Sequence, residues 1–191
     1  MKNFKFLLIV LIIIFLVFIA AQISGKYVLP GLLGKNAVDT VIISTSTDET
    51  LLNKKAPSFD LPDINGNSVS FSKFLNTPTV LIFWSTWDQR SIDQIKILDD
   101  YLASGNRNAS LVSFLAIDSQ EDPSVMKSLI RRGGYNVPFA LDTYGDVSGR
   151  YNIKSLPTIY FIDRGGIVRE IYTGVLSQSM LVNKAEQIIK Q

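Results

Sequence analysis

Apolar and polar residues follow one another along this chain in blocks that predict an anchor, a connecting segment and one folded domain. An uninterrupted apolar run covers residues 6–21 and, counted with Ile23, approaches the ~20 residues that a helix needs to cross a bilayer. Because Lys2 and Lys5 precede this run, we expect the N-terminus in the cytoplasm and the rest of the chain outside it. We therefore predict a single transmembrane helix within residues 1–25, with a cleaved signal peptide as the alternative.

The next segment, residues 26–53, has no apolar stripe that would form a core face. It contains Pro30, two glycines and a Ser/Thr-rich run over residues 44–50. This composition is typical of a linker. We place the start of the folded domain at Lys54 and its end at Gln191.

Within residues 54–191 the pattern alternates between strand and helix periods. The apolar run 78–84 predicts a central, fully buried strand, and a helix with apolar residues at helical spacing follows from Asp88. Further strands are predicted at 110–117, 138–141, 158–162 and 168–173, and further helices at 124–132 and after Ser177. This order predicts an α/β fold: a mixed sheet with helices on both faces.

Two finer expectations concern side chains. We expect the last helix to bury one stripe, formed by Met180, Leu181, Ala185, Ile188 and Ile189. We also expect the carboxylates at strand ends to cap loops, namely Asp118, Asp142 and Asp163.

Composition removes several classes of chemistry. The 191 residues include no cysteine and no histidine, which excludes thiol–disulfide exchange by this chain and removes the commonest base and metal ligand. No acidic stretch has calcium-loop spacing, so we predict no metal and no cofactor. The net charge is +2 and no basic cluster exceeds the Arg131–Arg132 pair, so we predict no nucleic-acid partner.

The segment 81–95, LIFWSTWDQRSIDQI, resembles the active-site segment of membrane-tethered thioredoxin-like proteins of the TlpA/ResA type. Their pattern is an apolar strand, then W-x-x-W-C-x-x-C, then a helix. This chain keeps Trp84 and Trp87, but the two cysteine positions hold Asp88 and Ser91. Residues 151–168, YNIKSLPTIYFIDRGGIV, resemble the thioredoxin segment that carries a cis-proline. The resemblance implies a thioredoxin-like fold with a cis peptide bond at Pro157.

Residues 88–91 allow three interpretations. The favoured one is a helix start without chemistry, in which a carboxylate lies near the positive end of the helix. The second is a recognition groove for a polypeptide, formed by Trp87, Asp88 and Arg90 together with the loop at Leu156 and Pro157. The third is a new catalytic site that uses Asp88 or Ser91 and has no histidine as base.

The leading functional hypothesis is a redox-inactive, thioredoxin-like protein that faces outward from a membrane and binds or assembles polypeptides. Family resemblance alone implies a thiol–disulfide oxidoreductase, which stays open as an alternative, as does a non-thiol enzyme. The partners expected are membrane lipid around the N-terminal helix and an exported polypeptide, or a redox or cytochrome-maturation protein.

Overall fold

The structure, a computed structural model, describes residues 50–191, so the predicted anchor and most of the predicted linker lie outside it. The described strands are β1 (Asp60–Pro62), β2 (Ser68–Ser70), β3 (Thr79–Trp84), β4 (Ser113–Ser119), β5 (Phe139–Asp142), β6 (Thr158–Ile162) and β7 (Val168–Thr173). The described helices are α1 (Gln89–Ala103), α2 (Pro123–Gly133), α3 (Asp146–Arg150) and α4 (Gln178–Ile189), with 3-10 turns at Phe71–Phe74 and Arg107–Leu111. Between residues 50 and 191, no helix is both long enough and apolar enough to cross a membrane.

The main sheet has the strand order β5-β4-β3-β6-β7, so β3 lies at its centre as predicted. β3 pairs in parallel with β4 and antiparallel with β6, which makes the sheet mixed. The segments that follow β3, β4 and β5 therefore leave the sheet at one common edge, and the candidate site forms there. β1 and β2 form a separate hairpin.

The side chains of β3 divide the core into two layers. Val80, Ile82 and Trp84 face a layer that includes residues of α1, α2 and α4, whereas Leu81 and Phe83 face a layer that includes α3 and the β1–β2 hairpin. All five have no exposed surface. Because burying such a side chain contributes about 1.5–3 kcal/mol, this strand fixes the sheet firmly beneath the turn that follows it. The predicted α/β fold with helices on both faces is confirmed.

Several predicted boundaries needed correction. The strand expected from residue 110 begins at Ser113, because the Arg107–Leu111 stretch forms a 3-10 turn instead. Met180 was wrongly assigned to the buried stripe of the last helix. It is 43% exposed because it lies about 100° around the helix from Leu181, outside the stripe that Leu181, Ala185 and Ile188 bury. Ile189 is half-buried at the edge of that stripe.

Candidate functional site

The turn between β3 and α1 separates two tryptophans that are three residues apart. Trp84 ends the buried strand and has no exposed surface, whereas Trp87 is 72% exposed. Both placements agree with the sequence analysis, in which Trp84 ends the predicted buried strand and Trp87 belongs to the possible recognition groove. The fully buried strand followed at once by an exposed aromatic ring makes Trp87 the most prominent apolar group of this turn.

Asp88 occupies the N-cap position of α1, but its side chain does not cap the helix. Its backbone carbonyl accepts from the Ile92 N–H at 3.2 Å. Its carboxylate accepts instead from the Ser91 hydroxyl, Oγ to Oδ2 3.0 Å, and from the Arg90 guanidinium, Nε to Oδ1 3.2 Å. Ser91 has no exposed surface, while Arg90 is exposed. The two positions that hold cysteines in the resembled pattern are thus joined by a hydrogen bond.

Glu121, in the loop after β4, contacts the turn between β3 and α1. Its carboxylate accepts from the Thr86 N–H at 2.7 Å through Oε2, and from the Thr86 hydroxyl through Oε1. The loop after β4 thereby fixes the backbone immediately before Trp87. Sequence reasoning missed Glu121, because a single glutamate in a polar loop carries no local signal for a partner 35 residues away.

The three strand-end carboxylates behave differently from one another. Asp142 accepts from the Val147 and Ser148 N–H groups at 3.2 and 2.7 Å, so it caps α3 as expected. Asp163 also has the expected loop role, since it accepts from the Ile167 N–H at 3.0 Å. Burial acts to raise the pKa of Asp163, but this hydrogen bond and the Arg169 guanidinium hold it below its ordinary value.

Asp118 is the exception, and the expectation that it caps a loop was wrong. It lies within β4 in register with Trp84, so its side chain points into the core layer rather than into a loop. It has no exposed surface, and neither carboxyl oxygen forms a well-oriented hydrogen bond with the described residues, although Glu121 interacts with this carboxyl. Burial, together with the nearby carboxylates of Glu121 and Asp142, raises the pKa of Asp118 to about 8.

A cavity of about 280 Å³ opens beside the turn and contains two of the predicted binding residues, Trp87 and Leu156. Asp88, Arg90 and Pro157 are not among its lining residues. The other lining residues come from the end of β4, from three loops and from α3, namely Ser119, Gln120, Gly145, Ser148, Gly149, Ile153, Lys154 and Ser155. The cavity therefore combines an exposed aromatic ring with hydroxyl, amide and ammonium groups.

The loop before β6 forms one wall of this cavity. The Leu156–Pro157 peptide bond is cis, as the resemblance implied. The Leu156 side chain is buried in the core, so what this residue can offer a ligand is its backbone. The Pro157 carbonyl accepts from the Gly174 N–H at 2.8 Å, which ties the loop to the end of β7.

Gln94 lies on the buried face of α1, one turn beyond Ser91. Its side-chain oxygen accepts from the Leu176 N–H at 2.6 Å, and it has no exposed surface. This neutral amide joins α1 to the loop before α4.

A mixed sheet of this topology, with an aromatic turn after its central strand and a cis-proline loop sharing one cavity with that turn, defines a thioredoxin-like protein. Residues 52–171 match the AhpC/TSA family, and the chain belongs to that family. It is 25% identical over 151 residues to the thiol-disulfide oxidoreductase ResA of Geobacillus kaustophilus, covering 78% of this chain and 86% of that protein. The ResA of Bacillus subtilis is 29% identical over 128 residues, covering 66% of this chain and 69% of the relative.

Solved structures agree with the fold. A thiol:disulfide interchange protein of the thioredoxin family from Chlorobium tepidum superposes with a TM-score of 0.62 at 20% identity. The match covers 71% of this chain and 95% of that one. The predicted resemblance to the ResA type is thus confirmed, with both cysteine positions replaced in this chain.

Proposed function

We propose that this chain is a membrane-anchored, extracytoplasmic protein of the ResA type that binds an extended polypeptide segment and carries out no thiol chemistry. One observation carries the proposal: the Asp88–Ser91 hydrogen bond occupies the place of the dithiol, beside an intact cavity formed by Trp87 and the Leu156 loop. The turn has no sulfur atoms that could react, but the cavity beside it is present.

The chemistry of the pair supports a redox-inert turn. Thiol–disulfide exchange needs a thiolate that attacks a disulfide sulfur, and neither a hydroxyl nor a carboxylate can form or accept such a bond. The relatives are named thiol-disulfide oxidoreductases, so the alternative of such an activity in this chain requires sulfur atoms that the turn does not hold. The turn accordingly has a single covalent state.

The cavity suits one side chain of an extended peptide. Its volume of about 280 Å³ is small, and it is bordered by the largely exposed Trp87 ring. Tryptophan, with tyrosine and arginine, is enriched among the residues that contribute most of the binding energy at protein interfaces. The hydroxyls of Ser119, Ser148 and Ser155 supply polar contacts around that ring. A ligand whose backbone lies along the Leu156 loop would place a side chain between these groups.

The location rests on the N-terminal sequence. The apolar run at residues 6–21, with Lys2 and Lys5 before it, favours an anchor that leaves the folded domain outside the cytoplasm. The partners that fit this location are membrane lipid around the anchor and an exported polypeptide, or a redox or cytochrome-maturation protein that itself supplies cysteines.

A photo-crosslinking amino acid at Trp87 in intact membranes tests the proposed groove. The matched control is Leu111, which is also exposed but precedes β4 and so lies at the opposite edge of the sheet. We expect one discrete crosslinked polypeptide from position 87 and none from position 111. Equal capture at the two positions, or capture at position 111 alone, would contradict the groove.

A second candidate is a non-thiol enzyme, and the 3.0 Å contact between Ser91 and Asp88 is the observation that favours it. A carboxylate in that position can accept the proton of an attacking hydroxyl. The complete burial of Ser91 opposes it, since a substrate cannot reach the hydroxyl without movement of the turn. Ser91→Ala should leave any hydrolytic activity of the chain unchanged if the binding proposal is correct.

A further inference from the structure

Buried polar atoms without partners collect where β3 and β4 end. They belong to three neighbouring side chains: the indole N–H of Trp84, the hydroxyl of Ser85 and both oxygens of Asp118. A buried polar group without a partner is costly, and a buried charge without a partner is more costly still. The Asp118 carboxyl is therefore held in its neutral form near pH 7, which agrees with its raised pKa.

The charged groups that act on Asp118 are themselves carboxylates. Asp142 belongs to β5, and both of its oxygens accept backbone N–H groups at the start of α3, so its position is fixed. Glu121 belongs to the loop after β4, and its carboxylate accepts from Thr86 and also interacts with the Asp118 carboxyl. Of the two, Glu121 is the group that can move when a negative charge appears on Asp118.

Movement of Glu121 would act directly on the candidate site. Thr86 is held by Glu121 through both its backbone N–H and its hydroxyl, and Trp87 is the next residue. The segment between the buried Ser85 and the N-cap residue Asp88 is short. Loss of the Glu121 contacts therefore frees the backbone that presents the Trp87 ring.

We infer that Asp118 is a positioning residue whose effect depends on its own protonation. While Asp118 is protonated, Glu121 holds Thr86. When Asp118 loses its proton to solvent, repulsion between the two carboxylates releases Thr86 and loosens the turn that carries Trp87. The inference does not depend on what the groove binds. If the groove binds a polypeptide, the release of Thr86 lowers the affinity of the groove for that polypeptide at alkaline pH.

Nuclear magnetic resonance of the ¹⁵N-labelled full chain between pH 6 and 10 tests this inference with two reporters. The indole N–H of Trp84 lies in register with Asp118 and reports its ionisation, and the amide of Thr86 reports the contact with Glu121. We expect both resonances to titrate with one common midpoint near 8. The amide of Ser113, which bonds to the Pro78 carbonyl at the opposite edge of the sheet, is the internal control and should not titrate.

Two variants separate cause from consequence. In Asp118→Asn both titrations should vanish, and in Glu121→Ala the Thr86 resonance should be shifted at every pH while the Trp84 indole still titrates. A Trp84 titration without a Thr86 titration in the wild-type chain would overturn the inference, as would the absence of both. A Thr86 titration that survives in Asp118→Asn would also overturn it. If that variant does not fold, the wild-type titrations and Glu121→Ala still decide the matter.

Discussion

Ser91 donates a hydrogen bond of 3.0 Å to the Asp88 carboxylate, and these two residues occupy the cysteine positions of the pattern that the sequence resembles. The two residues are three apart at the start of α1, where side chains at this spacing lie next to each other. The contact joins the two side chains across the first turn of the helix. It has no oxidised or reduced form, so the groove beside it does not change with redox conditions.

The first prediction restores the lost pair. Asp88→Cys combined with Ser91→Cys should form a disulfide in oxidised glutathione, because the 3.0 Å contact shows that the two side chains already meet. Mass spectrometry with thiol alkylation should count no free thiols after oxidation and two after reduction. Ser91→Cys alone is the control and should keep one free thiol throughout. Two thiols that stay reduced in the double variant would show that the turn has lost the required geometry.

The second prediction concerns the contact between Glu121 and Thr86. Glu121→Ala removes the acceptor for two hydrogen bonds and leaves the Thr86 N–H in a partly buried position. We expect the free energy of unfolding to fall by about 1–3 kcal/mol, measured by urea denaturation. Asp100→Ala, at an exposed position of α1, is the control and should change it by less than about 0.5 kcal/mol. Equal changes in the free energy of unfolding of Glu121→Ala and Asp100→Ala would mean that the contact between Glu121 and Thr86 contributes nothing to stability.

The third prediction follows from the buried carboxyl. The pKa of Asp118 is raised from 3.8 to about 8 by burial, so between these values the folded chain binds a proton that the unfolded chain has released. The contribution of Asp118 to stability is therefore complete below about pH 4 and is lost as the pH rises towards 8. Asp118→Asn should remove this dependence.

Urea denaturation of the wild type and of Asp118→Asn at several pH values measures this dependence of stability on pH. The free energy of unfolding of Asp118→Asn minus that of the wild type should grow by up to about 1.4 kcal/mol per pH unit between about pH 4 and pH 8, and should become constant above that range. A difference between the two proteins that does not change with pH would refute the buried, neutral state of Asp118.

The fourth prediction concerns Gly145, a glycine that lines the cavity. Gly145 has a φ of +75°, and a Cβ there would lie 2.2 Å from the Gln120 amide nitrogen. Gly145→Ala should cost about 1–2 kcal/mol in stability from the left-handed backbone alone, and should weaken crosslinking from position 87 because Gln120 must move. Gly134→Ala is the matched control, because Gly134 has a similar φ of +62°, a Cβ there meets nothing within 4 Å, and the residue does not line the cavity. Identical crosslinking in the two variants would argue that the cavity is not the binding site.

The elements that the sequence predicted best were those with a strong local pattern. The hairpin strands Thr158–Ile162 and Val168–Thr173 appear with the predicted bounds, because apolar runs enclose a turn marked by two glycines. The opposite exposures of Trp84 and Trp87 also followed from the strand ending between them. The start of β4 was not predicted correctly, because the residues before it are apolar enough to resemble a strand although they form a 3-10 turn.

The parts of the site that the sequence did not reveal are those set by contacts between distant segments. Asp118 and Asp142 both come at the end of an apolar run, and only the sheet register decides that one faces the core and the other a helix start. Glu121 acquires its role only because β3 and β4 run parallel and bring their following loops together. No local pattern distinguishes such a residue from a solvated loop charge.

The most direct test of a redox-inert turn is the reduction of insulin disulfides with dithiothreitol as electron donor, followed by turbidity. The wild-type chain and the Asp88→Cys, Ser91→Cys double variant should be assayed side by side at equal concentration. We predict that the wild type gives the rate of the blank while the double variant exceeds it. A wild-type rate above the blank would contradict the account, because it would require redox chemistry from a turn that holds only a carboxylate and a hydroxyl.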